Sequence, residues 1–352
     1  MDMGKNFINK TEYIFADYFR LICAIGVVAL HLDPFYDINK SIDFFVGSVL
    51  TRLCVPFFFI VSGFFLKDKF DDWSRLKKYV GHLIKLYVVY SMLYLPVNYY
   101  EYKEDGRMLG EMFGDFFRKF FFVGSYGQLW YFLALIFASL FLYLLITIFG
   151  LNDKLMMTIT VILFLMGLFF RVYDKPIRDA VDEIKIVALY DSIFKTTRNG
   201  LFFGTPFVYW GNLIWKKKID VNRKKCGLLF GIAMLAFTAE AIFVRNIIGA
   251  RQLDMLLLLP VTSILFVVLV LSKEKEIEKH NFSIWCRKLS VLVFGFHMLI
   301  NFCINRIVKF VESDINSLCL FFVVLIVNIL LGILLIFFSK RKYGKWIEKV
   351  FL

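Results

Sequence analysis

Paired cysteine spacing is missing from this chain. Its six cysteines, Cys23, Cys54, Cys226, Cys286, Cys303 and Cys319, lie singly in or beside apolar runs. That pattern excludes a disulfide framework and a zinc motif, and leaves them as small packing residues. Strict apolar–polar alternation is missing as well, which excludes the strands of a transmembrane barrel. The first apolar run carries Asp17 and Arg20 and has no small-residue cleavage site, so it is expected to stay as a helix rather than be removed as a signal peptide. Internal repeats and low-complexity stretches are wanting too. Neither end leaves room for a separate soluble domain, and one membrane domain over residues 1–352 is expected.

Apolar residues are what the chain has. They make up 59% of it, with 19% aromatic, whereas a soluble domain averages about half. Apolar runs of about 20 residues recur, enough to cross a hydrocarbon core of roughly 30 Å. Backbone groups inside that core must be satisfied within the segment, so the runs are helices. Length predicts an all-α integral membrane bundle of about ten transmembrane helices, near 13–32, 42–66, 79–99, 127–149, 154–172, 198–215, 225–244, 253–271, 289–310 and 317–338.

A net charge of +13 would suit nucleic acid, but the basic residues form short clusters between apolar runs, as in Lys216-Lys217-Lys218 and Arg223-Lys224-Lys225. Such clusters mark cytoplasmic loops, and no nucleic-acid partner is expected. With the amino terminus inside, the inner segments carry 24 Lys and Arg against 15 in the outer ones. A multi-pass protein of the plasma membrane with both termini cytoplasmic follows. The long loops at 100–126 and 171–197, rich in Asp, Glu, Lys and Tyr, then lie outside.

A charged side chain at the bilayer centre costs about 2.5–3.5 kcal/mol on insertion scales, so each one needs a reason. In the first run Arg20 and His31 are eleven positions apart. They return to nearly one helix face, about 16 Å apart along the axis. Asp17, three residues before Arg20, can pair with it. Asp17, Arg20, Ala24, Val27 and His31 thus form a polar stripe spaced by small residues, able to line a cavity. Equally open is the reading in which Arg20 snorkels to the inner interface and His31 caps the outer end.

The second run places Arg52 about ten residues deep, ahead of Pro56 and Ser62-Gly63. Ser-Gly reads first as a close helix contact, and Arg52 either as a site residue or as the partner of Asp17 or Glu240. Glu240 is deep in its own helix. Trp130, in Gly127-Gln128-Leu129-Trp130-Tyr131, is an interfacial anchor or a site residue. Arg198 and Asn199 open a helix whose free N–H groups suit an anion or a carboxylate. His297 alone reads as a packing histidine, while His82 and His280 carry no signal. No metal set is visible.

Together these segments resemble the acyltransferase-3 family of membrane acyltransferases. Arg20-x10-His31, Val55-Pro56-Phe57-Phe58-Phe59-Ile60-Val61-Ser62-Gly63, Leu129-Trp130-Tyr131-Phe132 and the late Phe296-His297 carry the likeness over nearly the whole chain. Within the family the chain looks most similar to the membrane module of the membrane-bound serine racemases of vancomycin-resistance clusters. Ala16-Asp17-Tyr18-Phe19-Arg20, Thr197-Arg198-Asn199-Gly200-Leu201-Phe202-Phe203 and Leu256-Leu257-Leu258-Leu259-Pro260 carry that likeness. No racemase domain is expected after residue 352, and the resemblance therefore implies no pyridoxal-phosphate activity. The resemblance implies an O-acyltransferase, with no bound cofactor, that moves an acyl group, usually acetyl, from cytoplasmic acetyl-CoA to a hydroxyl of an envelope substrate. By it His31 is the general base and Arg20 holds the donor. Arg52 is a candidate for steadying the oxyanion, and Asp17, Ser62, Trp130, Arg198, Asn199, Glu240 and His297 are donor- or substrate-binding candidates. The alternative is a transporter of a small hydroxy amino acid such as serine, its path lined by the same polar stripe.

Overall fold

The computed structural model describes residues 13–173, 190, 192–218, 221–249, 252–272 and 281–351. Among the described residues the secondary structure is helical throughout. Seven helices are long and apolar enough to cross a membrane. Among them are α1 (Ile14–Leu32), α2 (Lys40–Leu66), the span Leu109–Ile148 that contains α6 (Trp130–Tyr143), the span Arg223–Ile248 that contains α9 (Arg223–Phe243), and α11 (Asn281–Phe310). The span expected at 79–99 is broken into α3 (Trp73–Leu93) and α4 (Leu95–Glu104), bent by 45°. Pro96 opens α4, and its missing N–H interrupts the ladder there. Two further expected spans are helical but fall short as crossing helices: α8 (Thr205–Lys217), with its preceding turn from Gly200, and α10 (Leu259–Leu271). The count of about ten thus becomes seven, or eight with the bent pair. Most of the loop expected at 171–197 lies outside the described residues.

Short polar residues set the helix starts. Asn39, Asp72, Asn152, Asn222 and Asn316 each accept a backbone N–H from the first turn that follows them, meeting donors that the helix cannot satisfy itself. Glycine sets the closest packing. A Cβ on Gly63 would stand 1.9 Å from the Val208 carbonyl oxygen, and one on Gly211 equally close to that of Ile60. The α2 and α8 backbones therefore touch at Ser62-Gly63, the packing reading of that pair. Rings of Phe59, Trp130, Tyr131, Phe203 and Phe207 fill the space beside this contact at centroid separations of 4.7–5.9 Å.

Candidate functional site

Helices α1 and α11 pack along their lengths, and each carries polar groups at two levels. At the amino-terminal level Asp17 is buried and ion-paired with Arg20, and Arg287 of α11 approaches the same carboxylate at 3.7 Å. The Arg20 guanidinium lies over the Phe65 ring, 4.7 Å from its centre. Nearby, the Ser62 and Tyr131 hydroxyls hydrogen-bond at 3.3 Å. A cleft of about 310 Å³ between Tyr13, Phe64, Trp215 and Lys218 opens at this level.

At the other level the His31 and His297 rings face each other, centroids 5.3 Å apart. His31 is exposed, whereas His297 has no accessible surface. His297 Nδ1 lies 2.9 Å from the Phe294 carbonyl oxygen and 3.2 Å from that of Val293. Carbonyls only accept, so Nδ1 carries the proton and Nε2 keeps its lone pair. That Nε2 has no hydrogen-bond partner among the described residues. The rung of α11 beside it is held from outside. Tyr94 donates its hydroxyl to the Gly295 carbonyl at 2.9 Å, accepts the Leu299 N–H at 2.9 Å, and accepts Gln128 Nε2 at 2.6 Å.

Arginines complete this level. The cationic groups acting on His31 are Arg198 and Arg52, and both keep a buried Nε without a hydrogen-bond partner among the described residues. Asp254, 4% exposed, takes Arg171 through two hydrogen bonds of 2.9 and 2.8 Å and Arg198 through an ion pair of 3.2 Å. Arg198 also lies over the Trp130 ring at 4.7 Å. Asp33, at the end of α1, is the other carboxylate that Arg52 feels. Lost solvation and the neighbouring Asp43 push its pKa up, with Arg52 pulling the other way. Among the described residues the buried nitrogens without a hydrogen-bond partner are those of Arg52, Arg198 and His297, while buried oxygens of Gln128, Asn212, Ser263 and Asn328 also lack one.

Of the residues singled out from sequence, the structure gathers His31, His297, Arg52, Arg198 and Trp130. It leaves Asp17, Arg20 and Ser62 at the opposite level. Several expectations are corrected. Ala24 and Val27 are fully buried, so the stripe between Arg20 and His31 is packed shut rather than open to a cavity. Arg52 takes Asp254 and Asp33 as its acidic neighbours, in place of Asp17 or Glu240. Glu240 accepts the N–H groups of Leu257 and Leu258 at 2.6 and 2.8 Å and the Tyr173 hydroxyl at 3.2 Å; it caps α10. Asn199 accepts the Leu201 and Phe202 N–H groups at 3.0 and 3.2 Å, so that helix start is satisfied by its own side chain. Trp130 is buried beneath Arg198 instead of sitting at an interface as an anchor. Asp254, Arg171, Tyr94 and Gln128 were not singled out. Asp254, one residue inside an expected apolar span, carried a signal in its charge.

Ionisable residues inside a membrane bundle are costly and need a reason, and this bundle gathers arginines and histidines at one level. The acyltransferase-domain family model matches residues 13–337, and the chain belongs to the acyltransferase-3 family. It is 27% identical over 337 residues to a protein named amino-acid racemase from Enterococcus faecalis, covering 92% of this chain and 46% of that one. It is 26% identical over 264 residues to a serine/alanine racemase from Enterococcus gallinarum, covering 72% and 36%. The chain thus spans less than half the length of these curated relatives. No solved structure matches it.

Proposed function

We propose that the chain is a plasma-membrane O-acyltransferase that carries an acyl group, most simply acetyl, from cytoplasmic acyl-CoA to a hydroxyl of an extracytoplasmic envelope substrate. Both termini face the cytoplasm in this reading. The observation that carries it is the facing His31–His297 pair, with Arg52 and Arg198 acting on His31.

A hydroxyl is a weak nucleophile at neutral pH and needs a base within hydrogen-bond reach. His31, exposed and beside the acceptor, takes the hydroxyl proton as the oxygen attacks the thioester carbonyl. Negative charge then grows on the carbonyl oxygen, and Arg52 faces it with unspent donors. When the C–S bond breaks, His31 returns the proton to the sulfur and free CoA leaves as the thiol. His297 is a positioning residue whose ring packs against that of His31, centroids 5.3 Å apart. Arg20, eleven residues away at the cytoplasmic end, grips a phosphate or the pantetheine arm, with Asp17 orienting its guanidinium. The closed α1 face between Arg20 and His31 has to part when the arm enters.

Calorimetric titration of the purified protein with acetyl-CoA tests the reading. Saturable binding is expected, and Arg20→Lys should weaken it, because lysine keeps the charge but loses the planar fork. A charge-assisted hydrogen bond is worth about 1.5–3 kcal/mol, which bounds the loss. A folded wild type that binds no acetyl-CoA would favour a transporter instead.

A further inference from the structure

We infer that the acceptor bears an anionic oxygen group, a phosphate or a carboxylate, near its reactive hydroxyl, and that Arg198 holds this group while the hydroxyl points at His31. The inference rests on the O-acyl-transfer reading above and adds the substrate class.

A cleft of about 430 Å³ is lined by Arg198, Trp130, Lys119, Asn98, Ser125 and Met298. Arg198 ties it to the histidine level, being one of the two cations that act on His31. It lies at the level away from Arg20, where a donor held by Arg20 does not reach with its phosphates. Two cations, Arg198 and Lys119, line it. Lys119 is already paired with Asp115 at 2.9 Å, and the Glu101 carboxylate on the same wall accepts the Tyr126 hydroxyl at 2.7 Å. Arg198 differs from both. Its ion pair with Asp254 is shared with the better-bonded Arg171, and its Nε has no partner among the described residues.

Arg171 and Arg198 share the buried Asp254 carboxylate, which Arg52 also feels. A purely structural network would satisfy its buried donors, because a desolvated guanidinium nitrogen left unbonded is costly. An anionic acceptor supplies the missing bonds, and a guanidinium fork matches either oxyanion. The Trp130 face beneath Arg198 fixes the plane of that fork. Anchoring the anion places the hydroxyl at a set distance from the base, which is how binding energy becomes rate.

The test uses three probes with one skeleton, glycerol 3-phosphate, glycerate and glycerol, titrated into the full-length protein in detergent. At least one anionic probe should bind tenfold or more tightly than glycerol. Arg198→Gln should weaken it roughly ten- to a hundredfold, the worth of a charge-assisted hydrogen bond, and Arg198→Lys should recover part of the loss. A preference for glycerol 3-phosphate assigns a phosphate-bearing acceptor, and one for glycerate a carboxylate. Equal binding of all three probes by the wild type overturns the inference without any variant. So does anion binding that survives Arg198→Gln but fails in Arg20→Lys, which would put the anion at the donor end. Acetyl-CoA titration is read separately: its failure removes the acyl-transfer reading, whereas its success with no anion preference removes only this inference.

Discussion

Tyr94→Phe probes how the site is held rather than what it does. The hydroxyl is buried at the break between α3 and α4 and makes three hydrogen bonds, two of them to one rung of α11 and one to Gln128. Phenylalanine keeps the ring and its 4.5 Å stack on Tyr126 but cannot bond. The α11 rung can close on itself and recover the Gly295–Leu299 bond. Gln128 cannot follow, because its Oε1 already lacks a partner and its amide would lose its shortest bond. A buried polar group left unmade costs about 1–3 kcal/mol, so a loss of that size is expected. The thermal unfolding midpoint in detergent should fall by several degrees. Gln128→Leu in the same background should give back part of the loss, since removing both partners is milder than removing one. Closing the rung also turns α11 next to His297, so turnover should drop in Tyr94→Phe at temperatures where it stays folded. If stability and turnover both match the wild type, the hydroxyl holds nothing, and His297 is placed by the helix alone.

His31→Ala should lower acyl transfer by about 10²–10⁴-fold, the usual contribution of a general base, with the unfolding midpoint unchanged; near-normal turnover would move the role to His297. Asp254→Asn should destabilise by about 3–5 kcal/mol, because it removes the buried carboxylate that Arg171 and Arg198 share. An unshifted melting curve would show that water or lipid headgroups serve as well. For orientation, Lys217→Cys in a background lacking the six native cysteines should resist a membrane-impermeant thiol reagent in intact cells. Labelling there would reverse the topology and place the donor on the wrong side.

The spans were legible because length and apolarity are read directly against bilayer thickness. Polar residues within apolar runs were legible for the same reason in reverse: Arg20, His31, Arg52 and His297 stand out against the cost of burying them. What a polar residue touches was less legible. Glu240 was visible in its helix, but its partners are backbone N–H groups 17 and 18 residues on, and backbone donors leave no mark in the residue letters. Asn199 was read as exposing a helix start that its own side chain fills. Tyr94 could not be found at all, since a tyrosine in an aromatic-rich chain looks the same whether its hydroxyl meets lipid or bridges a helix rung. Asp254 escaped because it sits at the margin of an expected span, where a charge looks like a loop residue. The break at Tyr94 follows from Pro96 in hindsight, but one proline does not say whether a helix bends or merely begins.

The separation of the two polar levels argues for a division of labour along α1. One helix face holds a paired arginine at one end and an open histidine at the other. The residues between them are small enough to let neighbours press close: a Cβ on Gly26 would come within 2.5 Å of the Cys54 sulfur. A closely packed seam keeps water and ions from crossing while no donor is bound. The same seam is held by contacts of small side chains, which part at less cost than interlocked large ones. Acyl transfer across a bilayer needs both properties in one place, since the thioester has to reach a base that the acceptor meets from the other side. In the proposed acyl transfer the helix that carries Arg20 and His31 would be the element whose packing changes on donor binding, and α11, pinned by Tyr94, the wall against which it moves.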